Sequence, residues 1–349
     1  MADTERDEEL APPPDVRPAL ERAALPWFEP LRARLASMQD QRRLPHGILV
    51  VGQPGAGQEE VGLWLAARLL CRGEGTKACG RCADCQLFMA GSHPDFRWIR
   101  VASDKKEISI EQMRNLTEAL LLRSYRGGAK VALIAPAEAM NIKSFNALLK
   151  TLEEPADDTF LVLATSRSDR MPRTIASRCM RVRAPLPETA EALAWLGATG
   201  SRSSWEGLLG LAHGAPFLAL EYEAAGLDDL DREMQEALAT GDAGRFDLVG
   251  IARAWADNAP AARLFWLESW LTRHLKDASR PGELVNNNRL PWLRPPALET
   301  KIRSGYRLLD QLRDARRQVG GALNTQLLFE GLLVSLAALQ GNGPGKVQE

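Results

Sequence analysis

Cys71, Cys79, Cys82 and Cys85 are spaced C-x7-C-x2-C-x2-C. Thiolates in this pattern can close a tetrahedral zinc site with sulfurs about 2.3 Å from the metal, because close pairs deliver two ligands from one tight knuckle. A dithiol redox motif needs only one C-x-x-C and leaves two of the four unexplained. An iron–sulfur cluster or four idle thiols would also be compatible with the count. His93, in "SHPDF", is close in sequence, but a lone histidine before proline is expected to be a loop residue rather than a ligand. Cys179 stands apart and is expected to be a buried free thiol.

"GQPGAGQEE" (52–60) follows the apolar run "HGILVV" and precedes "VGLWLAARLL". Gly52, Gly55 and Gly57 are placed as in a phosphate-cradling loop, where backbone N–H groups and a helix N-terminus face an anion. The next two positions require Lys, for the β- and γ-phosphates, and Ser or Thr, for magnesium. They are Gln58 and Glu59. A carboxylate about 4 Å from a phosphate charge repels it by roughly 4 kcal/mol at an intermediate dielectric, enough to reverse a preference for triphosphate. Hydrolysis also needs Asp-Glu after an apolar strand. The candidate strand "KVALIA" is followed by Pro136 and Ala137, and Glu138 comes one residue late. Two independent losses predict that the chain does not hydrolyse nucleotide.

Arginine recurs between 167 and 183, at 167, 170, 173, 178, 181 and 183. Such a run is usually a solvated basic loop. It can also present one guanidinium to an anion on a neighbouring molecule, where its planar fork suits the charge of phosphoryl transfer.

These residues need a scaffold. Apolar runs at 47–52, 96–99, 130–135 and 160–166 alternate with helix-like stretches at 59–71, 110–122 and 141–154. Strands separated by helices predict a mostly parallel sheet covered by helices. Ile110, Met113, Leu116, Leu120 and Leu121 are expected on one helical face, with Ser109 and Gln112 as a capping box. After "RAPLPE" (183–188) the chain reads as helical throughout. "TQLLFEGLLVSLAALQ" is apolar around much of its circumference, so it is expected to be buried between helices or subunits. "ASRPGELVNNNRLPWLRPP" (278–296) is expected to be a loop.

Composition sets limits. At 349 residues, two or three domains are expected. The net charge of −1 gives no global attraction to nucleic acid, so any DNA contact must come from a local patch or an assembled surface. No apolar run approaches the roughly 18 residues of a membrane span. The acidic, Pro-rich start lacks the order of a signal peptide, so residues 1–22 are expected to be a disordered lead-in and the protein cytoplasmic.

Taken together, "PWFEPL", the four-cysteine insert, "NALLKTLEEP" (146–155), "LATS" (163–166), "SRC" (177–179) and "ALNTQLLFEGLLVSL" resemble the delta-prime family of bacterial DNA polymerase III clamp-loader subunits, members of the AAA+ superfamily. The resemblance spans nearly the whole chain past the lead-in. It implies an AAA+ α/β domain with a zinc insert at 71–85 (23–184), a helical lid (185–243) and a helical collar that holds the ring together (244–342). It puts Arg178 on the arginine finger that enters the ATP site of an adjacent gamma or tau subunit. Thr165 or Ser166 falls on the polar sensor, and Phe217 stands where active relatives have a sensor arginine.

The implied function is that of a non-hydrolysing stator in the DNA polymerase III holoenzyme, a DNA-directed DNA polymerase. Its partners would be gamma, tau and delta subunits, the sliding clamp, and primer–template DNA through the complex. A self-sufficient AAA+ ATPase acting on DNA, and a zinc-dependent DNA-binding module with an unrelated helical tail, are the competing expectations.

Overall fold

Among the described residues, five short runs become strands, and every pairing between them is parallel. They are β1 (Gly47–Val51), β2 (Phe96–Ile99), β3 (Lys130–Ile134), β4 (Thr159–Thr165) and β5 (Met180–Arg183), in the sheet order β2-β3-β4-β1-β5. All five residues of β1 and of β3 are buried, as expected for inner strands covered on both faces. The structure is a computed structural model that describes residues 15–102, 105, 107–199, 204–242, 247–278, 298–318 and 324–340.

Four of these strands fall where apolar runs predict them; β5 does not. Its sequence, MRVR, lies inside the arginine-rich stretch that reads as a loop. Val182 is buried while Arg181 and Arg183 face solvent, so this is a half-buried edge strand whose charges discourage pairing with another chain. Four residues are too few for the alternation to stand out.

Helices α1 (Arg17–Ala23), α2 (Glu29–Asp40), α3 (Gln58–Leu70), α4 (Ala83–Met89), α5 (Ile110–Leu121), α6 (Ile142–Glu153) and the single turn α7 (Arg173–Ala176) complete this part. The first corrects the expected lead-in. Pro18 sits in the first turn, and Val16, Ala19 and Ala23 are buried, so residues 17–22 are ordered by packing against α3. Residues 1–14 lie outside the described residues. α3 is buried nearly all round, from Val61 to Leu70, because the sheet lies on one side and α1 and α2 on the other.

Ser109 and Gln112 form the expected capping box, each side chain bonding the other's backbone N–H, at 3.2 and 2.9 Å. Met113, Leu116 and Leu120 then enter a core with Leu49, Ile134, Leu148, Leu152, Leu161 and Leu163. Leu121 does not join them and is 72% exposed. It is one residue, about 100° of helix, beyond Leu120, and α5 ends there.

The chain divides into two compact units, Met1–Ala192 with Ala215–Leu218, and Leu193–Gly214 with Ala219–Glu349. The helices beyond β5 are α8 (Thr189–Thr199), α9 (Glu206–Leu211), α10 (Pro216–Ala224), α11 (Leu227–Asp242), α12 (Leu248–Asp257), α13 (Pro260–Ala278), α14 (Leu298–Gln318) and α15 (Thr325–Gln340). In the second unit α12 packs on α15 and α13 on α14, with Trp255 edge-on to Phe329 at 5.7 Å. Phe329, Leu332, Leu333, Leu336 and Leu339 of α15 are buried, but Leu327 and Val334 are 63% and 42% exposed, so the expected burial of its apolar circumference is met only in part. Buried Arg263 is held by both Glu233 oxygens, at 2.9 and 3.0 Å. Nearly all of the predicted 278–296 loop lies outside the described residues. No helix among the described residues is long and apolar enough to cross a membrane.

Candidate functional site

The glycine loop has the backbone its spacing predicts. Gly52 N–H donates to the Thr165 carbonyl at 3.2 Å, so the chain leaves β1 tied to the end of β4. Gly55 and Gly57 have φ of +72° and +88°, left-handed values that favour glycine, and Gly57 caps α3, whose first residue is Gln58. Strand, turn and helix start are all retained.

The surroundings of the loop are apolar. A Cβ on Gly57 would stand 2.6 Å from Phe28 Cζ and 2.9 Å from Phe217 Cε2; one on Gly55 would collide with Leu218. Trp27, Phe28 and Phe217 form one cluster, with Phe28 and Phe217 stacked at 6.3 Å between centroids. The Arg22 guanidinium covers the Phe217 ring at 5.3 Å and pairs with Glu60 at 3.0 Å. Gln58 turns its amide oxygen back towards Gly52, buried and with no hydrogen-bond partner among the described residues. Ala56 and Gly57 are buried against this cluster while Pro54 is exposed, and an acceptor stands in place of a cation.

The second half of a hydrolytic site is built differently as well. β3 runs into buried Ala135 and Ala137 around Pro136, with no carboxylate at the strand end. Glu138 turns to the end of β4, where its Oε1 accepts from Ser166 N–H at 3.1 Å and from Ser166 Oγ at 2.6 Å. Thr165 is buried and its Oγ1 accepts from Arg167 N–H at 3.0 Å. Both sensor-like residues are thus engaged in local ties.

Arg178 lies at the other end of the sheet. The β1–β5 register pairs Ile48 with Met180, so residue 178 is level with the start of β1. A Cβ on Gly47 would stand 3.0 Å from the Arg178 carbonyl. The glycine loop begins only after Val51. At about 3.3 Å per residue, the two are separated by the length of β1, roughly 15 Å. Arg178 Nη2 donates to Glu153 Oε1 at 2.5 Å and Nη1 to the Thr174 carbonyl at 2.9 Å. Its side chain stays 36% exposed. Cys179, next to it, is half-buried, and burial pushes its thiol up to about 11.

The four spaced cysteines converge. Their sulfurs all lie within 4.8 Å of one another. Bonds of about 2.3 Å to one tetrahedral ion put sulfurs close to 3.8 Å apart, and Cys79 and Cys85 are already at 4.0 Å. Backbone N–H groups point at the sulfurs: Gly73 and Cys79 at Cys71, both 3.2 Å, Cys82 at Cys79 and Cys85 at Cys82, both 3.4 Å. N–H donors from Arg81 and Cys82 bring the Cys79 thiol down to about 6. Burial pushes Cys82 up, but N–H groups of Cys85 and Arg72 outweigh it. Burial pushes Cys85 up, as does neighbouring Cys82. The donor set, its spacing and its N–H support fit a four-thiolate metal centre.

His93 is not part of this cluster. It is buried with Asp84, whose carboxylate meets Arg126 Nε at 2.8 Å, Arg72 Nε at 3.2 Å and His93 Nε2 at 3.4 Å. Burial pushes Asp84 up, yet Arg126 and Arg72 hold it below its ordinary value. Asp95 accepts from Ser124 Oγ and from the N–H groups of Tyr125 and Arg126, at 2.8, 2.8 and 2.9 Å. These two carboxylates tie the knuckle and β2 to the turn before β3. Spacing does not reveal Phe28, Leu218, Glu153, Asp84 or Asp95, because each meets its partner across a long stretch of chain. The one signal in the residues is "PWF", an aromatic pair placed before the first long helix of the α/β unit.

With the geometry in place, the chain can be set beside known proteins. A family model described as DNA polymerase III, delta subunit, matches residues 29–187. DNA polymerase III subunit delta' of Pseudomonas aeruginosa is 32% identical over 330 residues, covering 91% of this chain and 98% of that protein. The proteins of the same name from Yersinia pestis and Escherichia coli are each 32% identical, covering 88% and 75% of this chain and 94% and 79% of their own.

Proposed function

Since the chain belongs to the DNA polymerase III delta-prime family, we propose that it serves the clamp loader as a subunit that does not hydrolyse ATP. It lends Arg178 instead to the nucleotide site of a neighbouring gamma or tau subunit. One observation carries this: Arg178 and the chain's own glycine loop stand at opposite ends of β1. A guanidinium there cannot serve the loop of its own chain, but it is exposed at an edge that a second subunit can approach.

The loop supports the same conclusion from the other side. Backbone N–H groups at a helix start favour an anion, but here aromatic and aliphatic side chains pack behind the glycines, and Gln58 and Glu59 supply no positive charge. In the neighbour's site, Arg178 stabilises charge that builds on the transferring phosphoryl group, a role its fixed charge and planar donors suit. The local ties of Thr165 and Ser166 hold the end of β4 beside the packed loop.

The four cysteines hold zinc, which locks the knuckle between α3 and α4 and does no chemistry on a substrate. The α/β part (23–184), lid (185–243) and collar (244–342) act as three working parts. Through the collar the chain joins gamma, tau and delta, and through the assembled loader it acts on the sliding clamp and primer–template DNA in the cytoplasm.

The test is the DNA-stimulated ATPase of a reconstituted loader carrying Arg178→Ala. Rate should fall while assembly, followed by size-exclusion chromatography, stays intact. Normal turnover in a fully assembled R178A complex would remove the proposal.

A further inference from the structure

Resting on that role for Arg178, we infer that Glu153 is a latch on the guanidinium: the carboxylate holds it while the neighbouring site is empty, and an arriving nucleotide phosphate displaces it. Glu153 Oε1 lies 2.5 Å from Arg178 Nη2, and the Thr174 carbonyl takes Nη1 at 2.9 Å. Both terminal nitrogens are engaged, and the positive charge is neutralised by an adjacent negative one. A phosphate seeking two parallel N–H bonds would meet a carboxylate beside its target and be repelled. The two anions cannot share the guanidinium comfortably, so one replaces the other.

The exchange is feasible because the pair is weak. Side-chain exposure is 36% for Arg178 and 50% for Glu153. Ion pairs this open shift an equilibrium by up to about fivefold, which a multiply charged phosphate in a closed interface can overcome. Helix stability does not explain the carboxylate, because Glu153 is the last residue of α6, where the helix dipole favours a cation. Its partner is Arg178, reached across 25 residues of chain.

Glu153→Gln removes the charge and keeps the shape. In the reconstituted loader, titrating ATP, E153Q should lower KM by about two- to fivefold with kcat kept within about twofold. A fallen kcat or an unmoved KM would overturn the latch, since a residue that only orients Arg178 lowers kcat and one that only supports the fold moves neither. The isolated full-length chain gives a second readout without partners. Proton exchange at the Arg178 guanidinium, followed by nitrogen-15 NMR, should quicken in E153Q and return towards normal in Glu153→Asp; equal rates in all three overturn the latch. Normal ATPase in assembled R178A overturns the arginine role and the latch with it. A lost R178A rate beside an unmoved E153Q KM overturns the latch alone.

Discussion

The two ends of β1 have been put to opposite uses. At its C-terminal end, a loop with the backbone of a phosphate cradle has aromatic side chains packed behind its glycines. At its N-terminal end, Arg178 stays half-open to solvent, its terminal nitrogens bonded to the Glu153 carboxylate and the Thr174 carbonyl. One end keeps the shape without the loop's own cation; the other offers a cation at the surface. A backbone geometry can outlive its chemistry because strand, turn and helix start also hold the sheet together, whereas an exposed guanidinium contributes little to folding and must justify itself elsewhere.

The largest effect expected from this contrast is at the open end. R178A should reduce the assembled loader's ATPase by roughly 10³–10⁵-fold, the usual contribution of an arginine finger. Urea unfolding of the isolated variant should stay within about 0.5 kcal/mol of the parent, as for other surface changes. A large stability loss would make Arg178 a structural residue and dissolve the contrast.

At the closed end the expectation reverses. Phe28→Ala removes a fully buried ring against Gly57 and should cost about 3–5 kcal/mol by urea denaturation. ATPase per assembled complex should hardly change. If F28A unfolds at the parent's midpoint, the aromatic packing behind Gly57 does not support the fold.

The cysteine knuckle sharpens the comparison, because it is a third place where local shape is held, by metal rather than by packing. Freshly purified protein should carry about one equivalent of zinc, and Cys85→Ser, leaving three thiolates, should retain less than about half. Metal analysis that finds no zinc in the parent would remove the metal from this picture. The smallest effect expected is none: Gln58→Lys with Glu59→Thr restores the missing side chains, yet ATP should bind no more tightly than roughly millimolar, because Phe217 and Leu218 still face the glycines. Micromolar binding in equilibrium dialysis would show that charge alone had closed the site.

Much of this is legible in the residues. The four apolar runs that become β1 to β4, the capping box at Ser109 and the glycine turn follow from period and spacing within a few residues. The cysteines, too, lie close enough in sequence that only one knuckle can be made from them. Legibility ends where the pattern is short or its partner distant. β5 is hidden among arginines because its alternation lasts four residues. Leu121 reads as part of the buried face because apolar character does not tell how soon a helix ends. The helix at 17–23 escapes notice because the reason for its order, α3, lies some forty residues further on.

The sequence by itself determined the local geometry: a strand–loop–helix without its cation, a thiol cluster and an arginine in reserve. Tertiary structure alone decided that Phe28 and Phe217 meet at Gly57, that Glu153 faces Arg178, and that Arg178 and the loop lie a strand's length apart. Local geometry is set by dihedral preferences and side-chain period within a turn or two. Contacts between distant segments depend on the order and direction of strands, and five parallel strands in the order β2-β3-β4-β1-β5 put residues 47 and 178 side by side.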